Sequence, residues 1–432
     1  MSFDLKKIKK VHFVGVGGIG ISAIARMMLL EGKNISGSDI AESEVTKDLQ
    51  KQGIKFSLGQ KVEDIPSGTE IIIYSNAIKS AHSPFLSELE KTDKLLLSYP
   101  EALAIISQNK KTIAIAGTHG KTTTTAMIGT ILKDAGFDPT IIVGGQLKRE
   151  KSNMVLGKSN FLVVEADEYR RAFLNLSPSI LVITNIDADH LDYYKDLADI
   201  ENAFKELSEK VGDEGYVICN ATHPHISPVI SGLKARVIDY SKIENIPPLR
   251  FPGAHNIQNA QAALALAEVL SVNPDSARKS LIDFEGTERR FEYKGETDKG
   301  VLVYDDYAHN PQKVRAALQG ARQKYPDNKI FAVFQPHLFS RTKLLLMEFA
   351  ESFRDADEVV ILPIYAAREI DDGSVSNEDL AKEIQNYQKN VRAIDFDKAV
   401  EFLKNNSSAG DVIITLGAGE AYRTTTPLLG DS

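Results

Sequence analysis

One stretch constrains this chain more than any other: Lys111-Thr112-Ile113-Ala114-Ile115-Ala116-Gly117-Thr118-His119-Gly120-Lys121-Thr122-Thr123-Thr124-Thr125. Ile113 to Ala116 is an apolar run that reads as a buried strand. It breaks at Gly117, turns through Thr118, His119 and Gly120, and resumes as a helix from Lys121 through Met127 and Leu132. Strand, glycine loop and helix N-terminus together make a phosphate cradle. Backbone N–H groups point outward, the helix dipole adds partial positive charge, and Lys121 adds a full one. The Thr122 hydroxyl is placed to hold Mg²⁺ bridging the phosphates. The usual loop, G-x-x-x-x-G-K-[ST], has its first glycine where this chain has Ile115, so the loop here is shorter and turns at Gly117. On this stretch alone, a glycine turn followed by a solvated lysine is the competing reading.

The whole chain sets the outer bounds. Its 432 residues predict two to four domains, each large enough for its own core. A formal charge of −8 leaves no basic patch and argues against nucleic acid as a partner. Positive charge for a phosphorylated ligand must therefore be concentrated locally. The single cysteine, Cys219, makes no internal disulfide, which fits a reducing cytoplasm. The basic N-terminus leads into a strand, and no apolar run reaches the roughly 18 residues of a membrane span, so no membrane insertion is expected.

In chain order, Val11 to Val14 runs into Gly15-Val16-Gly17-Gly18-Ile19-Gly20 and an apolar helix, Ile21 to Leu30. Gly15, Gly17 and Gly20 satisfy G-x-G-x-x-G, and Asp39 follows about 20 residues later, the layout of a Rossmann nucleotide site. Alone it fits NAD, FAD, a UDP-sugar or merely tight strand–helix packing. A further strand, Glu70 to Tyr74, ends at Ser75 and Asn76, where ligands bind in parallel sheets. A helix from Tyr99 to about Lys110 then closes the first domain, 1–108.

The central segment carries two more polar strand ends, Glu165-Ala166-Asp167-Glu168 and Asn185-Ile186-Asp187-Ala188-Asp189-His190-Leu191-Asp192. In an open α/β sheet both fall on the edge that bears the phosphate loop, so Glu165 and His190 face the nucleotide phosphates. A carboxylate suits Mg²⁺, whereas imidazole is an uncommon ligand for it. Asn256 and Asn259 lie on one face of a helix start; either reads an adenine edge, or Asn256 simply caps the helix. The next boundary falls near Thr287, giving domains 109–287 and 288–432. Of the adjacent Arg289 and Arg290, one is expected to be functional, because neighbours before a strand point to opposite faces. The last third again alternates strand and helix, with polar groups at strand ends: Asp305 to Pro311, Gln335 to Thr342, Tyr365 to Glu369 (including Arg368) and Gly417 to Glu420. His309 and His337 at neighbouring strand ends form a credible site.

Taken together, His12 to Ser22, the Gly117–Thr125 loop, Glu165-Ala166-Asp167-Glu168, Thr184 to His190, Asp305-Asp306-Tyr307-Ala308-His309 and Phe334-Gln335-Pro336-His337 resemble, in order and spacing, the Mur ligases. These are ATP-dependent amide-bond ligases of peptidoglycan precursor synthesis. The resemblance implies three α/β domains: an N-terminal Rossmann-like domain for a UDP-sugar, a central P-loop ATPase-like domain, and a C-terminal Rossmann-like domain for an amino acid. It implies UDP-N-acetylmuramate and L-alanine as substrates, ATP and Mg²⁺ as cofactors, a cytoplasmic monomer or homodimer, and an acyl-phosphate intermediate. It assigns the UDP-sugar to Gly15, Gly17, Gly18, Ile19, Gly20, Asp39, Ser75 and Asn76. ATP falls to Gly117, Thr118, His119, Gly120, Lys121, Thr122, Thr123, Asn256 and Asn259. Metal falls to Thr122, Glu165 and His190, and the amino acid to His309, His337 and Arg341. Lys121, His190, His309 and Asp306 are the catalytic candidates, with His309 or Asp306 taking the amine proton. Leu338, Asn310 and Tyr169-Arg170-Arg171 depart from common family residues; the first two bear on which amino acid is accepted. The alternatives are a ligase for a recycled murein tripeptide, an NAD-dependent oxidoreductase carrying a phosphate-loop domain, and a non-catalytic nucleotide-binding module.

Overall fold

In the computed structural model, residues 5–80, 84–191, 193–367 and 369–430 are described. Three sheets carry the architecture. The first is wholly parallel, in the order β3-β2-β1-β4-β5, from β1 (Lys10–Val14), β2 (Asn34–Asp39), β3 (Lys55–Leu58), β4 (Ile71–Tyr74) and β5 (Leu95–Ser98). The winding reverses between β1 and β4, so the crevice at their carboxyl ends is the natural ligand position.

The second sheet has β6 (Lys111–Ala116) at its centre. It adds β7 (Thr140–Leu147), β8 (Ser152–Val155), β9 (Phe161–Glu165), β10 (Ile180–Ile183), β11 (Tyr216–Cys219) and β12 (Arg236–Asp239), in the order β12-β11-β10-β6-β9-β7-β8. Among the described residues of this sheet, only β7 and β8 run antiparallel. The third sheet joins β13 (Glu292–Glu296), β14 (Leu302–Asp306), β15 (Ile330–Phe334), β16 (Glu358–Ile361), β17 (Val391–Ala393) and β18 (Val412–Leu416), in the order β13-β14-β18-β15-β16-β17. Among the described residues, no helix is long and apolar enough to cross a membrane.

Two compact units contain these sheets. One comprises Met1–Pro248 and Gln258–Thr287, the other Leu249–Ile257 and Glu288–Ser432. The first two sheets share a continuous apolar core in the first unit, from Val11 and Phe13 through Ala114 and Val164 to Phe204 and Val217. In the second unit the sheet is covered on both faces. Ile330, Ala332 and Phe334 pack on one side of β15, and Phe331 and Val333 on the other. A parallel strand buried on both faces reads as an unbroken apolar run, which is why these strands stand out in the sequence.

The expected strand ends hold to within a residue or two, with Glu165 the last residue of β9 rather than the first beyond it. Short strands at sheet edges, β3, β12 and β17, have mixed patterns and carried no comparable signal. Asp192 and Arg368 lie outside the described residues.

One buried polar contact in the first sheet has a measurable consequence. His12 on β1 is 1% exposed, with Nδ1 at 2.9 Å and Nε2 at 3.3 Å from the hydroxyls of Ser36 and Ser38 on β2. Burial lowers its pKa from the ordinary 6.5 to about 4. The unfolded chain therefore binds this proton first, and stability is lost as pH falls from about 6.5 toward about 4, by up to about 3 kcal/mol. Replacement His12→Gln should flatten that part of the profile, as read from urea midpoints at about pH 7.5 and about pH 4.5.

Candidate active site

The phosphate loop leaves β6 at Ala116 and enters the helix Lys121–Asp134. Gly117 has φ +136°, and a Cβ there would lie 2.0 Å from Thr184 Oγ1. Only glycine fits, because the loop is pressed against the segment that follows β10. That segment grips it by hydrogen bonds. The Asn185 side chain accepts from His119 N at 2.8 Å and donates to His119 O at 3.0 Å. Thr184 Oγ1 also donates to His119 O, while Thr118 Oγ1 accepts from Asp187 N at 2.9 Å. Gly120, at φ +82°, faces the carboxamide of Asn259. Among the sequence candidates, His119 and Asn259 thus line or brace the loop. Thr184 and Asn185 are bracing residues that the motif contained without revealing their role.

Lys121 lies largely buried between loop and acid. Its Nζ donates to Gly117 O at 2.6 Å and sits 2.7 Å from Glu168 Oε2. Burial disfavours the ammonium, yet Glu168, Asp167 and Glu165 outweigh that and hold its pKa above the ordinary lysine value. Glu168 is 2% exposed, and burial pushes its carboxyl up to about 7 against the pull of Lys121. Sequence reasoning singled out Glu165 from this motif; the structure adds Glu168 as the direct partner of Lys121. His190 Nε2 stands 3.7 Å from Glu168 Oε1, its ring 4.8 Å from that of Tyr169, at a backbone φ of 55°.

Thr122 Oγ1 donates to Glu165 Oε1 at 3.1 Å, and the other oxygen of Glu165 accepts from Gly144 N at 2.8 Å. Among the described residues, no group of three or more His, Cys, Asp or Glu side chains is arranged to hold a metal. A hydroxyl and a carboxylate are nevertheless the hard oxygen donors that Mg²⁺ takes alongside substrate phosphates, so the pair fits that ion.

The first sheet builds its own loop at the winding reversal. Ser75 N donates to Val14 O at 3.0 Å, and Ser75 Oγ would lie 2.5 Å from a Cβ on Gly15, so Ser75 and the glycine turn share one crevice. Gly20 is closed in by the ring of Tyr99, 2.8 Å from where its Cβ would be. Asp39 has a structural task here: its Oδ2 accepts from Gly17 N at 2.8 Å, fixing the loop. Gly18 precedes the helix Ile19–Leu30, and Asn76 opens the short helix Asn76–Ser80.

In the second unit, Asp306 at the end of β14 accepts from Phe291 N at 2.7 Å and from Ala308 N at 2.8 Å. Burial raises its pKa to about 6, opposed by Arg290. His309 Nδ1 lies 2.8 Å from Tyr307 O, an oxygen that only accepts, so Nδ1 carries the proton and Nε2 the lone pair. Burial, with Lys313, Arg341 and Arg290 nearby, drives His309 well below the ordinary histidine value. The His337 ring is 6.3 Å from that of His309 and stacks on Tyr365. Thus His309, His337 and Arg341 share one neighbourhood.

Two expectations need correction. Asn256 is not the helix cap: the helix Ala254–Val269 begins before it, and its side chain donates back to Pro252 O at 2.7 Å. Arg289 and Arg290 do not diverge: Arg289 has φ 56°, which breaks the extended alternation, and both guanidinium groups lie over Tyr307. Arg289 is tied to Asp305 at 2.9 Å and to Gly417 O at 2.6 Å, a structural role.

Comparison with known proteins meets this geometry directly. Residues 10–111 match the Mur ligase family catalytic domain, 115–247 the Mur ligase middle domain and 289–419 the Mur ligase glutamate ligase domain. The chain belongs to the Mur ligase family. A UDP-N-acetylmuramate–L-alanine ligase of Caldanaerobacter subterraneus is 39% identical over 451 residues, covering 98% of this chain and 97% of that protein. One from Clostridium kluyveri is 40% identical, at 98% of each. The crystal structure of a UDP-N-acetylmuramate–alanine ligase from Thermotoga maritima superposes with a TM-score of 0.81 at 26% identity, over 96% of this chain and 97% of that one. A murein peptide ligase from Psychrobacter arcticus shares the Mur ligase fold, with a TM-score of 0.71 at 22% identity over 98% and 99% of the two chains.

Two substitutions read out the loop. Lys121→Ala should lower ATP-dependent turnover by ~100-fold or more, the scale of losing one preorganised electrostatic donor. The fold should survive, since Glu168 can take a proton; circular dichroism and steady-state rates check this. Gly117→Ala should weaken nucleotide binding and cost about 2 kcal/mol or more of stability through strain and overpacking, as measured by nucleotide titration and denaturant unfolding.

Proposed function

We propose that this chain joins L-alanine to the lactyl carboxylate of UDP-N-acetylmuramate, splitting ATP to ADP and phosphate, in peptidoglycan precursor synthesis. The observation that carries the reading is near-40% identity, over essentially the whole length, to ligases of that name. The chemical course follows from charge. A carboxylate is a poor acyl donor because its oxygen will not leave. Its attack on the γ-phosphorus forms an acyl phosphate and releases ADP. The amine then attacks the acyl carbon, and the tetrahedral adduct collapses to amide and phosphate.

Both partners of the first step are anions. Lys121 and the N-terminus of the helix Lys121–Asp134 bind the charge that develops on the phosphates. Thr122 and Glu165 would hold Mg²⁺, which would supply further positive charge to the phosphates. Gly15 to Gly20 and Ser75 would hold the UDP-sugar, with Asp39 keeping that loop in shape. In the second unit, Arg341 and His337 suit the carboxylate of the amino acid. Asp306 is the better proton acceptor: a carboxyl near pKa 6 is ionised at neutral pH, while the site disfavours the imidazolium of His309.

The oxidoreductase alternative loses its footing, since the segment that carries the glycine motif matches a Mur ligase domain. The deciding measurement is phosphate release from ATP, Mg²⁺ and UDP-N-acetylmuramate with L-alanine, glycine, L-serine or the L-Ala-D-Glu-containing tripeptide as acceptor. L-alanine should be preferred by at least ~10-fold over glycine, the worth of one methyl group in a fitted pocket. Preference for the tripeptide would move the assignment to the recycling ligase, and no release with any acceptor would defeat the ligase reading.

A further inference from the structure

A buried polar cluster outside both loops joins the first sheet to the second. Arg26 sits on the helix Ile19–Leu30, the one that starts at the glycine motif, and is 4% exposed. Its guanidinium donates to Asn153 Oδ1 on β8, and on the other side to Asp48 Oδ2 at 2.8 Å. Asn153 is fully buried. Its Nδ2 donates to Ile19 O, in the first turn of that same helix, and to Ser22 Oγ at 3.0 Å. One side chain of the hairpin thus holds the start of the sugar-loop helix at two points, and Arg26 holds that side chain.

The hairpin leads on to the ATP loop. β8 pairs with β7, and the pairing opens between Ile142 and Leu147. Within that opening Gly144 N binds Glu165, whose other oxygen binds Thr122 at the head of the ATP-loop helix. A Cβ on Gly144 would lie 2.5 Å from the Glu165 carboxylate, so the approach is as close as a backbone allows. A chain of directional contacts therefore runs from Ile19 through Asn153, the hairpin and Glu165 to Thr122. Apolar packing alone permits two layers to slide, whereas hydrogen bonds of fixed geometry do not. The cost of the device is visible in Arg26 Nε, buried without a hydrogen-bond partner. Burying a guanidinium adds little net stability, and its best-attested benefit is fixing one register among several.

We propose that Arg26 and Asn153 are positioning residues, which hold the UDP-sugar loop and the ATP loop at the separation that lets the sugar carboxylate attack the γ-phosphate. This rests on the function proposed above. Phosphoryl transfer to the carboxylate is where such a clamp acts, because displacement by about 1 Å costs on the order of 100-fold in rate. Binding of each substrate alone uses one loop and is untouched.

The test uses the full chain. ATP-analogue and UDP-N-acetylmuramate affinities are titrated separately, and ADP formation is followed in a single turnover with ATP, Mg²⁺ and UDP-N-acetylmuramate but no amino acid. Arg26→Met and Asn153→Asp should each slow ADP formation by ~30- to 100-fold, with both affinities within about 3-fold of the parent and only a modest fall in melting temperature for Arg26→Met, which leaves the buried Asn153 Oδ1 without its donor. Asp48→Asn, which touches Arg26 only from the half-exposed side, should change the rate by less than about 3-fold. Should Arg26→Met not fold, Arg26→Lys keeps the charge without the fork and should lose about 10-fold. An unchanged rate in the folded variants overturns the clamp, as does a loss of rate matched by equal losses of affinity and melting temperature. A parent protein that forms no ADP from UDP-N-acetylmuramate overturns the functional reading itself, and the clamp with it.

Discussion

A buried ammonium–carboxylate pair, Lys121 with Glu168, sets the terms for the catalytic edge of the first unit. Removing both charges from water is costly, and the pair is tolerable only if the remaining hydrogen-bonding capacity is met nearby. The loop carbonyls of Gly117 and Thr118 meet it for Lys121. Both oxygens of the Glu168 carboxylate lean on Lys121 Nζ itself, at 2.9 and 2.7 Å, while the hydroxyl of the buried Tyr194 fixes the Glu168 backbone carbonyl. Those contacts require the chain to turn sharply at Gly117, and the turn requires Thr184 and Asn185 to fill the space a side chain would have taken. Loop shape, lysine position and the grip from β10 are one constraint met by several residues. The result is a positive group held in place before any substrate arrives, which is what electrostatic preorganisation demands.

The same economy of position recurs in each sheet. Parallel strands deliver their carboxyl ends to one edge, and polar residues collect there because the strands themselves are buried on both faces. In the first sheet that edge holds Gly15 to Gly20 and Ser75. In the second it holds the phosphate loop, Glu165 and Thr184 to His190; in the third, Asp306, His309 and His337. The carboxylates around Lys121, those of Glu165, Asp167 and Glu168, outnumber it. The third sheet's cluster gathers cations instead, with Arg290, Lys313 and Arg341 around His309.

Much of this was legible in the chain itself. Strand–glycine–helix units announce themselves because buried strands are continuous apolar runs and the loops cannot tolerate side chains. Contacts made across the sheet were not legible. Gly144 carries no local sign that its N–H holds Glu165, and Asn153 none that it meets Ile19. Asn256 offered either an adenine contact or a helix cap, and the cap fails because the helix already begins at Ala254. Arg289 and Arg290 were expected to diverge under strand geometry, but a left-handed residue at Arg289 turns both onto Tyr307.

By itself, the sequence determined the α/β class and the two glycine loops, which follow from spacing along the chain, where neighbours in sequence are neighbours in space. The three domains and the chemistry they serve came from the resemblance of its ordered motifs to the Mur ligases. Only the tertiary structure decided that Glu168 is the partner of Lys121, that Asp39 braces its own loop, and that Arg26 and Asn153 tie one sheet to the next. Such pairings join residues far apart in the chain, and sheet order and helix packing choose them; no local pattern encodes a hydrogen bond whose two ends meet only after the layers have docked.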